Sequence, residues 1–278
     1  MTYDISGELR KHLHPPAVHF IDSVWHEEEI APTETTQALR YETILADAAV
    51  QLVINLTSMP IQWSYDGQAW ESQKTDCARV LIDGPRLTPI IVRRPVGSLV
   101  IRLGYGGSLA LFGLDPQAVR NRIVPAEQFL SSEITVLLSS FELAFQNEWA
   151  RRLARHLNVK AAPTKRLTEA KHLTDRAIDL MDSCPSIRGV CHRLRISHTW
   201  LSAATKMAAG LRPYELFRLR RFTAIAEELR ADTRRLDDAG GFADQAHLIR
   251  EFRMLSRYTP RRYVENLTRY VGHVSTAD

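Results

Sequence analysis

The alternation of apolar and polar positions changes character along the chain. Residues 40 to 104 carry six short runs, YETIL, VQLVINLT, IQWSY, ARVLI, TPIIV and SLVIRLGY, rich in Val, Ile, Leu and aromatics. Turn residues such as Asp66-Gly67 and Asp83-Gly84-Pro85 punctuate them, so the runs read as strands of a small barrel or sandwich. Its interior is either a filled core or a ligand pocket. From Ser131 to Leu157 the period lengthens. Ile134, Leu137, Leu138, Phe141, Phe145, Trp149, Leu153 and Leu157 fall at helical spacing, which predicts one amphipathic helix with Arg151, Arg152 and Arg155 toward its basic end. That stripe packs either on the barrel or on a second copy of the chain, giving a homodimer through 131–157. NVKAAPTK, residues 158 to 165, reads as a linker.

Beyond the linker the period stays helical. A helix over Arg166 to Asp182 stops at SCPS, and a short one follows from Ile187 to Leu194. After a turn at Arg195 and Ile196, Ser197 caps a helix that ends at Gly210, where the left-handed conformation of a helix terminus favours glycine. Pro213 opens a long helix with an apolar face (Leu216, Leu219, Phe222, Ile225, Leu229) and a basic face (Arg218, Arg220, Arg221). Gly240 and Gly241 then form a tight turn, and Asp244 caps a further helix with Leu248, Phe252 and Leu255 on its apolar side. Gln245, His247, Arg250 and Arg253 lie opposite, and Thr259-Pro260 starts another helix. The pattern is α+β: a β module, then an all-α part whose short helices, tight turns and basic outer face suggest helix-turn-helix packing. The caps Ser197 and Asp244 stand 47 positions apart.

Two stretches carry a resemblance. GFADQAHLIREF followed by TPRRY is similar to the C-terminal signature of the AraC/XylS family of transcriptional regulators, and Ser197, Leu201, Lys206, Gly210 and Pro213 fit its first unit. The resemblance implies two helix-turn-helix units in tandem, with the long helix as connector, and sequence-specific binding to double-stranded DNA. The contacts it implies are Thr199, Ser202 and Lys206 in the first unit, Arg218 and Arg221 on the connector, and Gln245, Ala246, His247, Ile249, Arg250 and Arg253 in the second. Arginine pairs with guanine bidentately and glutamine with adenine, which suits such positions to major-groove readout. The sequence departs from the family at Ala203, where an arginine is common, and at Thr205, commonly aromatic. Arg195 and Arg257 replace turn glycines, and Leu229 to Gly241 is about two residues short. HPPAVHFIDSVW, ILADAAVQLVINL, LIDGPRLTPIIV and GGSLALFGLDPQAVRNRIVPAEQF resemble the cupin-like module found ahead of some AraC-type domains, over roughly residues 14 to 130. That implies a barrel over 1–130 for effector sensing or dimerisation, a connecting helix and linker over 131–164, and a DNA-binding unit over 165–278. A small-molecule effector and RNA polymerase are further candidate partners.

Charge sharpens the division. The formal net charge is +4, yet residues 151 to 278 hold 25 Lys and Arg against 14 Asp and Glu, a net of +11, leaving −7 for residues 1 to 150. Basic charge gathered in the helical part is the footprint of a phosphate-backbone binder. No run of about eighteen apolar residues and no N-terminal signal-peptide core is present, so a cytoplasmic protein without a membrane span is expected. Cys77, Cys184 and Cys191 suit neither a disulfide framework nor a zinc ribbon. His12, His14, His19 and His26 precede the expected sheet and read as solvated or capping residues, so no metal or cofactor is expected. Two rival functions remain. VCHR at 190–193 resembles the Pro-Cys-His-Arg run of alkyl-transferring DNA repair proteins, with Cys191 as nucleophile; Val190 replaces the proline, and the helix would turn Cys191 inward. A non-specific nucleic-acid or protein interaction module is the other.

Overall fold

The computed structural model describes residues 2–27, 40–73, 79–94, 97–184, 186–231, 245–268 and 273–275. All six strand runs expected between 40 and 104 form strands: β3 (Arg40–Ile44), β4 (Gln51–Asn55), β5 (Gln62–Ser64), β7 (Val80–Asp83), β8 (Ile90–Arg94) and β9 (Ser98–Leu103). They are joined by β1 (Thr2–Asp4), β2 (Ile21–Glu27), β6 (Glu71–Ser72), β10 (Ile123–Pro125) and β11 (His273–Ser275). One antiparallel sheet runs β1-β2-β9-β4-β7-β10, the other β11-β3-β8-β5-β6. Alternation assigns the faces. Leu52, Ile54, Val80, Ile82, Leu99 and Ile101 point into a helix-covered core, whereas Leu81 points the other way and meets Ile61, Trp63, Ile90 and Val92 of the second sheet. Tyr65 closes the sandwich by accepting the Ile123 amide at 2.9 Å through its hydroxyl.

Four helices cover the outer face of the first sheet: α1 (Ser6–Arg10), α2 (Gly107–Phe112), α3 (Ser132–Ser139) and α4 (Gln146–Lys160). The single helix expected over Ser131 to Leu157 is therefore two. Ser139 and Ser140 turn their hydroxyls back onto the carbonyls of Thr135 and Leu137, both at 2.8 Å, where α3 ends. Trp149 donates its indole N–H to the Leu137 carbonyl at 3.0 Å and meets Phe141 edge-on at 4.9 Å, fixing the corner. Most of the stripe (Ile134, Leu138, Phe141, Trp149, Leu153, Leu157) is buried in the chain's own core. His26 also needs correction: it lies in β2, buried, with its ring 6.0 Å from Phe141.

The helical region follows as α5 (Lys165–Met181), α6 (Ile187–Leu194), α7 (His198–Ala209), α8 (Pro213–Ala231), α9 (Gln245–Ser256) and α10 (Pro260–Glu265). The turn over Gly240 and Gly241, the Asp244 cap and most of the shortened stretch lie outside the described residues. One element breaks the expected all-α character: β11 leaves the helices and pairs antiparallel with β3, Val274 opposite Thr43. Val274 is fully buried in the helical core, beside Leu45 and Ala46. Further contacts join the two regions. The Ala46 amide donates to Leu255 O at 3.1 Å, the Gly106 amide to Ala208 O at 2.7 Å, and Arg120 pairs with Glu215 at 2.7 Å.

Candidate nucleic-acid interface

Each helix-turn-helix unit is built from local signals. Ser186 caps α6 by accepting the Gly189 amide at 3.2 Å, and the helix ends in a left-handed residue, Arg195, at φ 56°. There the Ile196 amide reaches back to Cys191 O at 3.1 Å, the six-to-one bond that demands a left-handed residue whatever its side chain. Ser197 then caps α7 through the Trp200 amide at 3.1 Å, and Gly210 ends it at φ 72°. In the second unit Arg257 takes φ 70° after α9, and Thr259 caps α10 through the Arg262 amide at 3.3 Å with Pro260 in the first turn. Phe252 of α9 contacts Phe222 of α8 at 5.0 Å and Tyr263 of α10 at 5.3 Å, so one aromatic stack holds the three helices.

The residues expected to meet DNA fall into three environments. On α9, Phe252 and Leu255 are buried at 1% exposure, while Ile249 (37% exposed), Arg250 and Arg253 face outward. Gln245, Ala246 and His247 belong to the first turn of α9, and their side chains lie outside what is described. On α8, Arg221 is exposed with its guanidinium 5.8 Å from the Phe217 ring, whereas Arg218 is largely buried and pairs with Glu251 at 3.1 Å. Arg218 thus ties α8 to α9. The neighbouring Arg220 grips Asp182 through two bonds of 2.9 and 2.6 Å, which holds the Asp182 carboxyl below the usual carboxylate range.

The face of α7 has a different setting. Thr199, Ser202 and Lys206 line a cleft of about 660 Å³ whose opposite wall includes Asp115 and Gln117 of the β region. Arg166 and His198 complete its basic side. The loop that follows α2 (residues 113–117) is seated closely at the far end of α7: a Cβ on Gly210 would lie 2.9 Å from the Pro116 carbonyl. Sequence patterning could not single out Asp115, Gln117 and Arg166, because they meet α7 only through the tertiary fold. Cys191, by contrast, is buried in the helical core, and burial pushes its thiol up. That favours the unreactive protonated form over an alkyl-accepting thiolate.

Among the described residues no group of three or more potential metal ligands occurs, and no helix is long and apolar enough to cross a membrane. No family model and no curated protein matches the chain. Similar solved structures include the crystal structure of ToxT from Vibrio cholerae O395, at 9% identity and a TM-score of 0.44, covering 87% of this chain and 95% of that one. A 1.65 Å structure of ToxT from Vibrio cholerae in a P21 form matches at 9% identity and a TM-score of 0.42, over 87% and 96% of the two chains. Unsaturated fatty acid bound wild-type ToxT from strain SCE256 matches at 9% and 0.41, over 81% and 94%. Likeness at this level bears on neither activity nor ligand.

Proposed function

We propose that the chain is a sequence-specific DNA-binding transcriptional regulator of AraC/XylS type, acting on double-stranded DNA in the cytoplasm. In this reading residues 1–130 sense an effector or support dimerisation, 131–164 connect, and 165–278 read DNA through two helix-turn-helix units. The observation that carries the reading is the division of α9. Phe252 is taken up by the aromatic stack and Leu255 by the same core, while Ile249, Arg250 and Arg253 stand outward in the strongly basic part of the chain. A helix so divided suits a major groove, which admits one helix and is read by arginine at guanine edges. Arg221 belongs to the phosphate contacts that fix register. A homodimer contact through 131–157 falls to the side chains of that segment left exposed, Val136, Leu143 and Phe145.

Replacing Arg250 by Ala costs about 1–3 kcal/mol at the cognate site and relaxes specificity there, whereas Arg221→Ala weakens binding to all duplexes nearly equally. Competition gels with cognate duplex, unrelated duplex and single-stranded RNA separate the outcomes. Preference for RNA, or unchanged operator binding by Arg250→Ala, contradicts the reading and favours a general interaction module.

A further inference from the structure

We propose that the cleft between α7 and the loop that follows α2 (residues 113–117) is a binding site for a small organic phosphate monoester, one whose body carries hydroxyl groups. Three cationic or ionisable groups line the cleft: Arg166 from the first turn of α5, and His198 and Lys206 from α7. None has a carboxylate partner among the described residues, although salt bridges take up Lys165 and Lys171 on the same α5. The hydroxyls of Thr199 and Ser202 lie between them along the same helix face. Two permanent cations with hydroxyl donors suit a group carrying close to two negative charges and several acceptor oxygens, which a phosphate monoester presents and a single carboxylate does not.

The opposite wall sets the rest of the ligand. Asp115 accepts its own loop's Gln117 amide at 2.9 Å, which leaves its second carboxylate oxygen to take a ligand hydroxyl. Gln117 adds a side-chain amide able to donate or accept. At about 660 Å³ the cleft matches a compact metabolite-sized molecule. A ligand held there bridges the β region to the face of α7 that carries Thr199, Ser202 and Lys206. Occupancy therefore competes with seating α7 in DNA; this regulatory consequence rests on the proposed DNA-binding function, and the site itself does not.

The test is calorimetric titration of the full chain with inorganic phosphate and with glucose 6-phosphate, at constant ionic strength in chloride buffer. The expected result is one saturable site, with glucose 6-phosphate binding more tightly than inorganic phosphate and glucose not binding. The double variant Arg166→Gln/Lys206→Gln weakens both anions about tenfold or more. Lys165→Gln, which removes an adjacent exposed charge outside the cleft, leaves them unchanged, and matched circular dichroism melts confirm that the variants fold. No saturable phosphate binding, equal loss in Lys165→Gln, or equal affinity for a short single-stranded oligonucleotide of phosphodiesters each overturns the site. Glucose 6-phosphate lowering duplex affinity in the wild type but not in the single variant Arg166→Gln, which keeps the Lys206 contact, is the expected regulatory result. A chain that binds the anion and no duplex retains the site and loses only the DNA reading.

Discussion

Arg195 and Arg257 stand where a turn glycine would be expected, and both keep the backbone such a glycine would supply, at φ 56° and 70°. The helix-terminal hydrogen bonds impose that conformation, and a non-glycine residue accepts it at a cost of about 1–2 kcal/mol. Their side chains make unequal use of it: Arg257 donates to the Tyr65 carbonyl across the regional boundary, whereas Arg195 is exposed. A second residue-scale feature is Asp47, whose carboxylate bonds Arg102 and accepts the Ala49 amide at 3.1 Å. Burial pushes its carboxyl up, but the Arg102 charge and hydrogen bonds, with the Ala49 amide and nearby Arg86, outweigh that and hold it below the ordinary value. A depressed carboxyl stabilises the fold fully above its unfolded pKa of about 4, and that contribution disappears as pH falls through the lower folded value. Asp47→Asn is therefore expected to lose on the order of 1–3 kcal/mol at pH 7 and progressively less below pH 4 in urea titrations, whereas a pH-independent difference contradicts this role.

At the scale of elements, legibility followed the strength of the local period. The six central strands were readable because β-branched runs alternate between turn residues, and α5 to α8 because each carries its own cap or stop. β2 was not, since a bulge between Ile21 and Ser23 breaks its alternation and Asp22 and His26 read as polar surface. The break between α3 and α4 escaped because serines 139 and 140 do not interrupt helical spacing; only the fold shows their hydroxyls bonding backwards. β11 is three residues long and has no period to detect. It matters nonetheless, for Val274 fills the core beneath α9 and α10 while Tyr258 bonds Thr43 at 3.2 Å. Val274→Ala should cost about 1–3 kcal/mol and lower the melting temperature of the whole chain in one transition. If the helical region alone loosened, or nothing changed, β11 would be no tie between the regions.

For the whole molecule, the charge division between the two parts was open to inspection in the sequence, and so were the Ser197 and Thr259 caps. The mutual placement of the regions was not. It depends on contacts such as Gly106 to Ala208, Ala46 to Leu255 and Arg120 to Glu215, each joining chain-distant partners whose chemistry is ordinary in isolation. That placement leaves the outward face of α9 exposed and sets α7 against a loop of the β region, so the two candidate reading helices are not equally accessible. Duplex binding that engages both units brings the DNA beside the loop that follows α2 (residues 113–117), next to the half-buried Ser202 and Lys206. The most direct test is affinity selection of fragmented genomic DNA by the purified full chain at two salt concentrations, since phosphate contacts weaken with salt and base readout persists. The expected result is a recurrent motif of two boxes about one helical turn apart, surviving the higher salt. Enrichment without a motif that vanishes at the higher salt would contradict sequence-specific regulation by this chain.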